Sequence, residues 1–270
     1  MHATLPLHSE SLGQGQPVLF LPGLGGDHRA FAGIQKSLSP NYRCISIDHR
    51  DSGSSPRAIK AYTLDDMAAD VVALLDSNGI DQADVVGHSM GGMISLHLAL
   101  AAPDRIRSLV LMSCHPRNYP WKTALVESWV RLRKQLSPIE FAHATLPWLL
   151  GPATYENVAH ISGMIRHAER HPNPQEADAF TRQALAVLVH DVQDSLHSLD
   201  MPILLLSGDS DRVTPPETTR VIADHAPHAY FELIENCGHL PHIESPTRLI
   251  SLLNRWLPDP TAFLAEHASK

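Results

Sequence analysis

The sequence predicts an α/β fold: a mostly parallel central sheet flanked by helices, with a helical block inserted late in the chain. Three observations predict it. Short, continuously apolar, β-rich runs alternate with helical periodicities up to residue 115. Strand-like runs then vanish between Pro116 and Leu199, where only helical patterns remain. The strand–helix rhythm resumes at Pro202 and runs on to Trp256. Apolar runs no longer than a strand suit strands covered on both faces, and parallel strands need crossover helices to cover them.

In chain order, strands are expected at Val18–Leu21, Cys44–Ile47, Val85–Val86 and Leu109–Met112, each bounded by Gly, Pro, Asp or Ser. Between the second and third, Leu64, Met67, Ala68, Val71, Val72 and Leu75 recur at intervals of three and four, as one face of a helix does. Thr63 is its expected N-cap. Asp65 and Asp66 lie where the helix dipole favours negative charge, and Gly79 can end the helix in a left-handed turn. A second helix is expected from Gly91 to Ala102, stopping before Pro103. The inserted block carries three helical patterns. The first holds Leu125, Trp129, Leu132 and Leu136, and the second Val158, Ile161 and Ile165. The third holds Phe180, Ala184, Leu185, Leu188 and Val192. Pro147, Pro152, Pro172 and Pro174 punctuate them. A strand at Ile203–Leu206, a helix at Glu217–His225, a strand at Tyr230–Ile234 and a helix at Pro246–Trp256 complete the pattern. Residues 1–115 and 200–270 therefore read as one core domain, and 116–199 as an insertion.

Composition narrows the function. With 270 residues, 43% hydrophobic and 19% charged, the chain can bury a sizeable core. A formal charge of −8 argues against nucleic acid or an anionic membrane as partner, since both select basic surfaces. No apolar run approaches the roughly 20 residues of a membrane span. No secretory signal is read at the N-terminus. Three cysteines without paired spacing suit reduced thiols in a cytoplasm. The 18 histidines are scattered, and their spacing along the chain resembles no metal site, so neither metal nor organic cofactor is expected.

The chemistry centres on Gly87-His88-Ser89-Met90-Gly91, a G-x-S-x-G placed after a strand and before a helix. A bare match of this kind is an ordinary glycine-rich turn. In strand–turn–helix context it makes Ser89 the candidate nucleophile, because small residues two positions either side let strand and helix approach and push the hydroxyl outward. A serine hydroxyl needs a base, and that base needs a carboxylate to orient it. On this kind of turn the acid follows the serine and the histidine comes last. Asp209 and Asp211 compete for the acid in Gly208-Asp209-Ser210-Asp211-Arg212-Val213-Thr214-Pro215. Asp211 is preferred, because Asp209 lies nearer the strand end and can cap a turn. His239, after the last strand, is the candidate base, with Gly238 giving its loop freedom and His242 as rival. Two oxyanion donors are expected: the Met90 N–H at the start of the helix, and the Leu24 N–H in the turn Leu21-Pro22-Gly23-Leu24-Gly25-Gly26.

Together these segments resemble the α/β-hydrolase fold superfamily, from about Val18 to Trp256. Leu21–Gly26 is similar to its oxyanion loop, with Pro22 where a histidine is common. Asp48-His49-Arg50-Asp51-Ser52-Gly53-Ser54-Ser55 is similar to its D-x-R-G-x-G-x-S segment, with Asp51 in place of the usual glycine. That departure bears on the local turn. The resemblance implies Asp211 as acid, His239 as base and residues 116–199 as a helical cap. Within the superfamily, Phe180-Thr181-Arg182-Gln183-Ala184 followed by His190-Asp191 resembles small bacterial esterases, enol-lactonases and cofactor-free haloperoxidase-like hydrolases. It implies a serine hydrolase that opens a small-molecule carboxylic ester or lactone through an acyl-enzyme. Two rivals stand beside it: C–C bond hydrolysis of a ring-cleavage product by the same residues, and a receptor-like ligand-binding protein with little turnover. The cap tryptophans Trp121, Trp129 and Trp148 either wall the substrate pocket or pack the cap helices together. The cap histidines His160, His167, His171 and His190 could make cap closure sensitive to pH.

Overall fold

A computed structural model describes residues 3–267. The N-terminal half contains strands β1 (Ser9–Leu12) and β2 (Gln16–Leu21), helix α1 (Ala32–Leu38), β3 (Tyr42–Ile47), α2 (Leu64–Ser77), β4 (Ala83–His88), α3 (Met90–Ala101) and β5 (Ile106–Met112). Five helices follow: α4 (Pro120–Gln135), α5 (Pro138–Leu149), α6 (Pro152–Tyr155), α7 (Val158–Glu169) and α8 (Ala177–Leu188). The chain ends with β6 (Ile203–Gly208), α9 (Pro216–His225), β7 (Ala229–Ile234), α10 (Pro241–Glu244), α11 (Pro246–Trp256) and α12 (Pro260–His267). Among the described residues no helix is long and apolar enough to cross a membrane.

The strands form one seven-stranded sheet in the order β1-β3-β2-β4-β5-β6-β7. Only β1 is antiparallel. Successive side chains on a strand leave opposite faces, so a continuously apolar strand feeds two cores. Leu19 and Leu21 join Val85, Leu109, Leu111 and the helix α2–α3 residues on one face. Val18 and Phe20 join Val86, Val110 and Trp256 on the other. The expected helix over Leu64–Leu75 forms with Thr63 as N-cap, in a reciprocal capping box with Asp66. Gly79 takes φ 62 just beyond its end.

Several elements depart from the sequence reading. β1 is polar and largely exposed, so it lacks the apolar signal that marks the inner strands. α1 and α12 are too short to show a helical periodicity in the sequence. Pro147 lies inside α5, near its C-terminal end, and does not break it. The third inserted helix stops at Leu188 and does not reach Val192. There Val192 N–H donates to Pro116 O, and Arg117 pairs with Asp191, so strand-like pairing replaces the last turn.

Helices α4 to α8 pack over the C-terminal edge of the sheet. Val126, Trp129, Phe180 and Ala184 form a third apolar cluster with Val213, which follows β6.

Candidate active site

Ser89 links β4 directly to α3, with φ 52 and ψ −116. A non-glycine residue pays about 1–3 kcal/mol for such a backbone, which persists only where the surroundings enforce it. They do so through glycine. A Cβ on Gly91 would collide with the Leu21 carbonyl, and one on Gly87 would press on Gly91 and Ser95. Ser89 N–H donates to Met112 O at 2.8 Å, tying the turn to the next strand.

The loop after β6 brings Asp211 beneath the loop after β7. His239 Nδ1 is 2.9 Å from Asp211 Oδ2, and His239 Nε2 is 3.0 Å from Ser89 Oγ. A carboxylate only accepts, so Nδ1 carries the proton and Nε2 faces the serine as acceptor. Asp211 Oδ1 also accepts from the N–H groups of Val213 and Thr214, at 2.9 and 2.7 Å. All three side chains are buried.

The rival residues lie elsewhere. Asp209 accepts from Asn236 N–H, Cys237 N–H and Ser210 Oγ. It caps a turn, as expected, but the turn of the following loop rather than its own. His242 packs between the rings of Phe31 and His88, and burial pushes its imidazole down to about 3. Gly238 serves the histidine loop for a reason other than the freedom first expected. Its φ is not positive; its bare Cα lets the loop backbone touch Leu150–Gly151, where any Cβ would collide with the Gly151 nitrogen.

Met90 begins α3, and Leu24 lines the cavity in front of Ser89. Among the described residues neither N–H donates to a protein acceptor. Both are backbone donors at the helix N-terminus or the facing loop. Gln183 of α8 steadies that loop, its Oε1 accepting from Gly25 N–H at 3.3 Å. Its Nε2 donates to Arg50 O at 2.8 Å and to Ser52 Oγ at 3.0 Å.

Other supporting groups left weaker traces in the sequence. Lys122 lies one turn and two turns before Val126 and Trp129 on the buried face of α4, a position where a lysine stands out. Its Nζ donates to Val213 O at 2.7 Å and lies 3.3 Å from Thr214 Oγ1, behind the Asp211 loop. Burial pulls it down to about 8, against the attraction of Asp211. Glu244 accepts from Gly238 and Leu240 N–H through one oxygen and from Gly151 N–H and Thr154 Oγ1 through the other. It thus clamps the histidine loop to the inserted helices, with no motif to announce it. His88 donates through Nε2 to His239 O at 2.8 Å and is buried neutral.

Ser89 and His239 open into a cavity of about 740 Å³. Leu24, Trp129, Leu149, Met164, Leu240 and Ile243 supply apolar wall, and Asp27, Arg29 and His171 form a polar cluster on it. Of the three tryptophans, Trp129 lines the cavity and also packs against its neighbours, whereas Trp121 and Trp148 are exposed. His160, His167 and His171 line it; His190 is buried away from it, 2.9 Å from His97.

The chain is similar to known proteins along most of its length. A model of the alpha/beta hydrolase fold matches residues 16–138 and 167–246. The protein named "Putative carbamate hydrolase RutD" from Variovorax paradoxus is 31% identical over 242 residues, covering 87% of this chain and 90% of its own. A thermophilic esterase from Thermogutta terrifontis superposes with a TM-score of 0.84 at 28% identity, covering 95% of this chain and 94% of its own. Est816, described as an N-acyl homoserine lactone degrading enzyme, gives a TM-score of 0.79 at 26% identity, over 93% and 97%. With the match running through both halves of the sheet and across the serine turn, the chain belongs to the α/β hydrolase fold family.

Proposed function

We propose that the protein is a serine hydrolase that cleaves a small-molecule carboxylic ester or lactone, with Ser89 as nucleophile, His239 as general base and Asp211 as its orienting acid. One observation carries this reading: His239 bridges Asp211 and Ser89 at 2.9 and 3.0 Å, on the wall of a cavity, with Ser89 held in a strained turn. His239 Nε2 takes the hydroxyl proton as Ser89 Oγ attacks the carbonyl carbon. Leu24 and Met90 N–H receive the oxyanion, each worth about 3 kcal/mol of barrier. The imidazolium then gives its proton to the leaving alkoxide, and the acyl group remains on Ser89. Water, deprotonated by the same imidazole, releases the acid.

The cavity volume suits a substrate of moderate size, and its apolar wall suits a hydrocarbon acyl or alcohol part. Helices α4 to α8 act as the cap that sets this shape. The name of the Variovorax paradoxus relative adds carbamates to the substrates to be compared, since a carbamate carbonyl accepts the same attack. Ser89→Ala should remove both turnover of p-nitrophenyl acetate and labelling by a fluorophosphonate. Labelling at the wild-type level in that variant would sink the assignment. A panel of short esters, lactones, carbamates and dienoic ketoacids then separates acyl transfer from C–C bond hydrolysis. Saturable binding with negligible turnover across the panel would favour the receptor-like reading.

A further inference from the structure

The structure assigns a second site, outside the cavity of Ser89: we propose that His8, Glu10 and His28 bind one divalent transition-metal ion of the zinc class. His28 Nδ1 is 2.7 Å from Asp48 Oδ1, so Nδ1 carries the proton and Nε2 presents its lone pair outward. That lone pair lies 3.3 Å from Glu10 Oε1. His8 Nε2 lies 3.9 Å from the same oxygen. A ring nitrogen and a carboxylate oxygen that close share a cation between them, either a proton or a metal ion. Ligand atoms bonded to a tetrahedral zinc at about 2.0–2.1 Å lie roughly 3.3–3.4 Å apart; the His28–Glu10 separation equals this, and the His8–Glu10 separation needs only a small side-chain shift to reach it. Donor atoms of His8, His28 and Asp48 all fall within 4.8 Å of one another.

Asp48 is an orienter rather than a ligand. Its Oδ1 already accepts from His28 N–H and Nδ1, and its Oδ2 from Ser54 N–H. A buried carboxylate behind a metal-binding imidazole fixes the ring and raises its basicity. The backbone is equally constrained. His8 N–H donates to Ser55 Oγ, and His8 O accepts from Asp48 N–H. Ser46 Oγ donates to His28 O, and Glu10 is paired with Ser46 across the sheet. A cleft of about 260 Å³, lined by His8, Glu10 and His28, leaves room for a water as fourth ligand. Two imidazoles and one carboxylate favour zinc-like ions over calcium or magnesium, which take oxygen donors. Spacing along the chain hides the trio: His28 joins His8 and Glu10 only when the β2–α1 loop folds over β1. The ion would tie that edge strand to the loop carrying Asp27 and Arg29, which also line the Ser89 cavity.

The test uses the full-length protein stripped of metal and titrated with zinc chloride by calorimetry, with cobalt(II) as a visible-band reporter. One saturable site is expected. Glu10→Gln, on an exposed side chain, and His8→Asn, on a half-buried one, should each weaken binding at least about tenfold, as losing even an outer partner does. Wild-type zinc at a hundredfold excess over Kd should raise the unfolding midpoint by roughly 5–10 °C, and the variants should lose that gain. A circular-dichroism spectrum and a metal-free unfolding midpoint equal to those of the wild type verify the fold of both variants. Absence of saturable zinc binding in the wild type would mean that a proton alone bridges His28 and Glu10, and would overturn the proposal. So would wild-type affinity in both variants, which would put the zinc on other histidines.

Discussion

Asp209 and Asp211 are two residues apart and have unlike surroundings. Asp211 is buried with His239 on one side and two backbone donors on the other, whereas Asp209 is exposed and closes the Asn236–Cys237 turn. If Asp211 orients the base, Asp211→Asn should cut kcat by about 10⁴-fold, because an amide NH₂ would select the wrong imidazole tautomer. Asp209→Ala should leave kcat within a few fold and cost about 1 kcal/mol of stability. Steady-state kinetics and urea unfolding of both variants separate the roles; equal losses of kcat would contradict the assignment. Ser89, Asp211 and His239 could be picked out in the sequence because each follows a strand end and has small or turn-forming neighbours. Lys122 shows only as a lysine on an apolar helix face and Glu244 not at all, because their roles arise from partners 91 and 93 residues away that only the fold assembles.

At the scale of elements, the residue that departs from the family pattern is what fastens α8. Asp51 takes φ 70, where the family usually has glycine, and its carboxylate is fully buried. It accepts from Tyr62 Oη, Ala58 N–H and, in two bonds of 2.9 and 2.6 Å, the Arg182 guanidinium. Gln183 on the same helix reaches the Leu24–Gly25 loop, so the docking of α8 and the position of the Leu24 N–H are mechanically joined. Arg182→Ala strands part of a buried charge and should cost about 2–3 kcal/mol, less than a wholly buried pair because Arg182 is partly exposed. Asp51→Gly in that background should recover only part of the loss, since it removes the stranded charge and suits the positive φ but unpairs Tyr62 Oη and Ala58 N–H. A double-mutant cycle in urea reads both steps. An Arg182→Ala loss below about 0.5 kcal/mol would show that the pair does not hold the helix. The inner strands and α2 were readable because their periodicity reports burial directly. β1 was not, because an edge strand paired on one side carries polar residues on purpose.

Across the whole molecule, burial has been imposed on many imidazoles at once. It lowers His49 and His190 to about 4 and His242 to about 3, and His88 and His115 well below their usual value. Each is held neutral in the fold and is free to protonate in the unfolded chain. Below pH 6.5 the unfolded state therefore binds more protons than the folded state, so stability falls as pH falls. The loss continues until the folded values are reached, near pH 4 for His49 and His190. Each such histidine contributes a slope of about 1.4 kcal/mol per pH unit within its window. Above pH 6.5 these groups are neutral in both states and contribute no slope. The unfolding midpoint should thus be level from pH 7 to 8 with respect to these groups and drop steeply between pH 6 and 4. His242→Leu removes one of the protons without touching an ion pair, because among the described residues His242 Nδ1 has no hydrogen-bond partner. Its stability should fall more gently with acid, by one proton's slope, even if the variant starts lower at pH 7. Parallel curves for variant and wild type between pH 6 and 4 would mean that His242 titrates alike in both states, and that the acid sensitivity has another source.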